Sequence, residues 1–130
     1  MAQGFVSRLM GVGIPDLQAK QVLTDITTTE ASLPFAVSGS QVYVKAVALG
    51  ALPNNTSAAT AHGITGLNQI IAVWGWAEHS SNGSRRAIPI YDADSTGHIE
   101  IRADGTNLTV QTAADQSAFS ATVYVLYTKD

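Results

Sequence analysis

The sequence predicts an all-β chain: an antiparallel β-sandwich, jelly-roll-like, with a short, partly helical N-terminal arm. Three observations predict it. From residue 40 onward apolar residues recur with a period of two, the pattern of a strand with one buried face. The alternating runs are short and are separated by turn signals such as Pro53-Asn54-Asn55, Asn82-Gly83 and Ala103-Asp104-Gly105. Roughly six to eight short strands at such spacing belong to a sandwich or jelly roll. A length of 130 residues suits one domain, read as a β domain at 31–130 with an arm at 1–30. With 45% hydrophobic residues, two Trp, four Tyr and three Phe, the chain can fill a core without disulfides.

The arm carries apolar residues at Phe5, Leu9, Met10, Val12, Ile14, Leu17, Val22 and Leu23, broken by Gly11, Gly13 and Pro15. Pro15-Asp16 predicts a short helix over 15–23, because Pro suits the first helical position and Asp favours the positive end of the dipole. The arm either packs under the β domain or stays exposed to find a partner on another chain. Strands are then expected over 41–49 and 65–76. The second is apolar on both faces, which predicts a central strand covered on both sides. A polar loop over 78–86 precedes a short strand at 87–91, whose Pro89 belongs at an edge or bulge. A turn at 92–97 leads to alternating runs at 98–102 and 107–112, so that 87–91, 98–102 and 107–112 form a meander. The last strand, 119–127, puts Phe119, Ala121, Val123, Val125 and Tyr127 on one face and Tyr124 and Leu126 on the other, which predicts a central or interfacial place.

Charge and composition exclude several functions. The net charge is −3 and Arg85-Arg86 is the only basic pair, so neither nucleic acid nor an anionic membrane is an expected partner. With no Cys, disulfides and thiolate metal sites are excluded. The N-terminus is interrupted before a signal-peptide apolar run develops, and no stretch of 18 apolar residues occurs. The expectation is therefore a chain made and folded in a cytoplasm. Only 13% of residues are charged, about half the usual share, and small hydroxyl-bearing residues take their place. Such a surface suits a component that works packed against neighbours.

The candidate chemistry reads mostly as structure. His62, His79 and His98 lack the spacing that converges two imidazoles from one element, so no metal is expected, and His62 before Gly63 is expected to make a turn or strand-start hydrogen bond. Asp92-x-Asp94-x-Thr96-Gly97 imitates a calcium loop, but Ala103 stands where the bidentate carboxylate is needed, so a hairpin turn is expected. No Gly-x-Ser-x-Gly elbow is present. Glu78, Asp92, Asp94 and Glu100 are the carboxylates a glycosidase pair would use, but in loops of a β domain they are expected as solvated turn residues. Neither an enzyme nor a cofactor is expected. Trp74-Gly75-Trp76 places two indoles on one face, as sugar-stacking platforms do, yet the apolar area of an indole predicts that this face is core.

A further set of short motifs runs in order along the chain: His62-Gly63-Ile64-x-x-Leu67-x-x-Ile70, Ile88-Pro89, Gly97-x-Ile99, Asn107-Leu108-Thr109-Val110-x-Thr112, Asp115-x-Ser117-x-Phe119 and Leu126-Tyr127-Thr128-Lys129. Over residues 62–129 the chain resembles a recurrent domain of tailed-bacteriophage virion proteins. The resemblance implies a non-enzymatic, usually trimeric β domain found in tail and head fibres and in small head proteins. Gly63 and Gly97 would then serve backbone geometry, Asn107 and Asp115 turn bonds, and Phe119 and Tyr127 packing. A tail fibre is expected to carry a long upstream shaft, and these 130 residues contain none. The expectation is therefore a capsid decoration, or cement, protein, a trimer on the major capsid protein at the head exterior. Phe5, Leu9, Met10, Ile14 and Leu17 are its expected contact residues. The alternative is a fibre-tip or adhesion module binding a host-surface glycan through 78–86 or 92–97.

Overall fold

The period-two runs fold as antiparallel strands throughout. The computed structural model describes residues 25–93 and 96–130, and among these are eight strands and no helix. They are β1 (Ala31–Val37), β2 (Ser40–Ala51), β3 (Ser57–Ala61), β4 (Leu67–His79), β5 (Arg85–Ile88), β6 (Ile99–Ala103), β7 (Asn107–Thr112) and β8 (Phe119–Lys129). Five form one sheet in the order β1-β2-β8-β4-β5, and three form another in the order β3-β7-β6. The all-β antiparallel expectation is met. The 15–23 helix and the arm residues Phe5, Leu9, Met10, Ile14 and Leu17 lie outside the described residues.

The C-terminal strand takes the middle of the larger sheet, as its two apolar faces predict. In β8, Val123 pairs with Val47 of β2 and Gly75 of β4, and Tyr127 pairs with Tyr43 and Ile70. Phe119, Ala121, Val123, Val125 and Tyr127 all face one way and are buried. The smaller sheet turns Ile99, Ile101, Leu108 and Val110 toward them, and Leu52 and Ile88 complete one cluster between the two sheets. Each of the larger aliphatic side chains buried there contributes on the order of 1.5–3 kcal/mol.

Two expectations are corrected. Strand 65–76 runs at 67–79 and packs only one face on that core; Trp74 and Trp76, on the other face, are 38% and 44% exposed. The 87–91 strand is no member of a meander. Arg85–Ile88 pairs with β4 in the larger sheet, and after the cis Ile88–Pro89 peptide Ile90 makes a single bridge to Ile99 of the smaller one. Pro89 has no N–H to continue a ladder, so pairing stops at the edge strand's end and the chain crosses between sheets. The strand beside the β6–β7 hairpin is instead β3, on the far side of β7.

The turn residues do the work expected of most of them. Gly63 has a φ of +67°, where a side chain is strained, and a Cβ there would meet Lys45 Nζ at 3.1 Å. Gly97 lies close to the Asp92 carboxylate: a Cβ there would stand 2.9 Å from Oδ2, which that side chain would relieve by shifting. Asp115 Oδ1 accepts from Ser117 N–H at 2.9 Å, an Asx turn. At the 104–107 turn the bonding carboxylate is that of Asp104, which accepts from the N–H groups of Thr106 and Asn107 at 2.8 and 2.7 Å; Asn107 takes part through its backbone.

Candidate functional site

The second face of the five-stranded sheet holds the most unusual surface. Alternation places Trp74, Trp76 and Glu78 of β4 on it, with Tyr124, Thr122 and Ser120 directly across on β8. On the opposite side of β4, Ala87 and Arg85 of β5 face Trp76 and Glu78. Trp76 is thus flanked by Thr122 and Ala87, whose small side chains leave the indole open, whereas Trp74 leans on the Tyr124 ring with centroids 5.6 Å apart and planes tilted by 39°. Exposure rises across this face: Val42 and Val44 of β2 are 0% and 1% exposed, Tyr124 and Leu126 are half-buried, and the two indoles of β4 are open.

Beside the aromatic row the face becomes polar. Arg85 Nε donates to Glu78 Oε1 at 2.9 Å, and both side chains are well exposed. Trp76, Glu78, Arg85, Ser120, Thr122 and Tyr124 enclose a shallow depression of about 100 Å³. A guanidinium engaged through Nε keeps its terminal N–H groups, and a carboxylate engaged through one oxygen keeps the other, so this rim offers donors and acceptors together. The arrangement provides apolar ring faces next to paired hydrogen-bonding groups.

Gly75 makes this geometry possible. It faces the core opposite Val123, and a Cβ on it would come within 2.1 Å of the Thr122 carbonyl oxygen. Only glycine lets β4 and β8 approach there, and the approach fixes how Trp74 and Trp76 stand relative to Tyr124 and Thr122.

The other candidates are built into the structure. His62 is buried; its Nδ1 accepts from Ile64 N–H at 3.2 Å, the local bond expected of it, so Nε2 carries the proton and donates across the fold to the Asp104 carbonyl at 2.8 Å. His79 packs edge-on against Phe119 and accepts from Ser81 N–H, while His98 lies by Tyr91 and 3.6 Å from Glu100. Among the described residues no group of three or more His, Asp or Glu is placed to hold a metal. Of the four carboxylates, Glu78 pairs with Arg85, and Glu100 is bound at 2.5 Å by Arg102, whose hydrogen bond holds its carboxyl below the usual range. Asp92 lies against Gly97 in the turn, and Asp94 lies outside the described residues.

The open indoles correct the expectation that their face is core. The signal was in the pattern: Trp74, Trp76 and Glu78 share one parity in β4, and a charged third member marks a face that meets water. The partner positions could not be seen, because Ser120 and Thr122 come opposite only through the register of β8.

No family model, no curated protein and no solved structure matches the chain.

Proposed function

We propose that the chain is a non-enzymatic virion component of a tailed bacteriophage, a capsid decoration protein that binds the major capsid protein at the head exterior as a trimer. Its two sheets are read as a jelly-roll-like sandwich. What supports the reading, beside the resemblance over residues 62–129, is the root of the arm. The Thr27 carbonyl accepts from Ala46 N–H at 2.7 Å along the edge of β2. Glu30 binds the Tyr127 hydroxyl at 2.5 Å and Lys129 Nζ at 3.0 Å, on the strand at the centre of the sheet. A pull on the arm is thereby carried into the core and not into a loop. Apolar contacts by Phe5, Leu9, Met10, Ile14 and Leu17 on neighbouring capsid subunits would add across a trimer while the cost of lost free motion is shared. Such binding holds a shell against internal pressure without chemistry.

Removing residues 1–23 tests it. The truncated chain is expected to keep its β circular dichroism and lose co-sedimentation with empty heads from the same phage; a truncated chain that still pellets with heads refutes the arm's role. A second reading, an adhesion module for a host-surface glycan, is favoured by one observation: the open aromatic face of β4 and β8.

A further inference from the structure

We propose that the face formed by β4 and β8 binds a neutral, pyranose-containing glycan, with Trp74, Trp76 and Tyr124 as its platform and Glu78 and Arg85 as its rim. The inference deepens the adhesion reading and rests on it; decoration of a shell is not needed for it. A pyranose ring has an apolar C–H face and a girdle of hydroxyls, so it asks for a flat aromatic surface with hydrogen-bonding groups at its border. Trp74 and Trp76 are two residues apart on one strand, about 6.6–6.8 Å, which suits consecutive rings of a chain. Both indoles remain open although each carries a large apolar area, and large apolar groups left together on a surface mark a binding site.

The rim decides the class of ligand. Glu78 and Arg85 neutralise each other at 2.9 Å, so the face carries no net charge to select an acidic sugar. A flat apolar protein partner would strip water from both charges and return nothing for their free donors and acceptors. Sugar hydroxyls would replace that water, each able to donate to the Glu78 carboxylate and to accept from the Arg85 guanidinium or the Ser120 and Thr122 hydroxyls across the depression. A second copy of the chain on this face is the competing occupant, and the test separates it.

The experiment titrates the full chain with neutral oligosaccharides of glucose, galactose, mannose and N-acetylglucosamine, and with a sialylated oligosaccharide as the charged control, following tryptophan fluorescence. At least one neutral oligosaccharide is expected to bind with a dissociation constant between millimolar and micromolar. Trp74→Ala and Trp76→Ala are each expected to weaken it at least tenfold, and Glu78→Gln several-fold, with the melting temperature of Glu78→Gln unchanged. Binding that both Trp variants leave intact overturns the inference and leaves the adhesion reading standing, with the ligand on the loops. Failure of every oligosaccharide to bind removes both. Preference for the sialylated control overturns the assignment to neutral sugars. A changed sedimentation coefficient in the Trp variants with unchanged binding assigns the face to a second copy instead.

Discussion

Glu30 shows how one residue couples the arm to the fold. Partial burial pushes its carboxyl up, but the hydrogen bonds from Tyr127 and Lys129 outweigh that and hold it below its usual 4.5. A carboxyl depressed in the folded chain binds fewer protons there than in the unfolded chain. Its contribution is therefore complete above about pH 4.5 and is lost as pH falls through the folded value. Glu30→Gln is expected to lower stability at pH 7 by on the order of 1 kcal/mol and to flatten the loss of stability on acidification, measured as urea midpoints from pH 7 to pH 3. An unchanged acid limb would show that Glu30 is not linked to folding. Tyr127 gives the opposite limb. Burial and the Glu30 carboxylate push its phenol well above its usual 10, so above pH 10 the unfolded chain releases a proton that the folded chain keeps, and stability falls. At this scale the sequence was legible where a residue bonds to near neighbours, as His62 and Asp115 do. Glu30 was not legible, because its partners stand 97 and 99 residues away.

Among elements, the seam between β4 and β8 carries the most. Eleven register pairs join the two strands, with shifts only at the Leu67–Ala72 end, and a Cβ on Gly75 would lie 2.1 Å from the Thr122 carbonyl oxygen. Gly75→Ala drives a methyl group into the Thr122 carbonyl, a backbone atom that cannot step aside. The expected cost is at least about 3 kcal/mol, the upper part of the usual overpacking range, read from chemical denaturation. Gly105→Ala is the control, because nothing lies within 4 Å of a Cβ there, and it is expected to change stability by less than about 1 kcal/mol. Alternation found β2, β6, β7 and β8, and an apolar run found β4, each within a few residues of its ends. It missed β1, whose ladder is interrupted between Ser32 and Ala36 around Pro34, and β3, whose Ser-Ala-Ala-Thr-Ala has no large apolar residue to mark a face. Both are strands because a neighbour offers a ladder: β2 to β1, and β7 to β3. A ladder is a tertiary fact that leaves no period in the strand itself.

At the scale of the molecule, the decoration reading expects native mass spectrometry to return three times the 13.6 kDa chain. A monomer that binds neither heads nor glycans would leave only the fold. Local patterning established that the chain is β and antiparallel, that Phe119, Ala121, Val123, Val125 and Tyr127 share one apolar face, and where several turns fall. These follow from local chemistry: a strand's period of two, the positive φ that glycine accepts at Gly63, and side chains that bond to nearby N–H groups. Which strands stand beside the two indoles, and so what the open face is made of, came only with the tertiary structure. An indole is apolar enough for a core and flat enough for a surface, so on this face of β4 only Glu78 signals water in the sequence. Gly75 let β4 and β8 close, and the sheet turned Val73 and Ala77 inward, leaving the two indoles outside with Tyr124, Glu78 and Arg85 beside them. That grouping joins residues from three strands up to 50 positions apart, from Trp74 to Tyr124, and only the pairing of β4 with β5 and β8 brings them together.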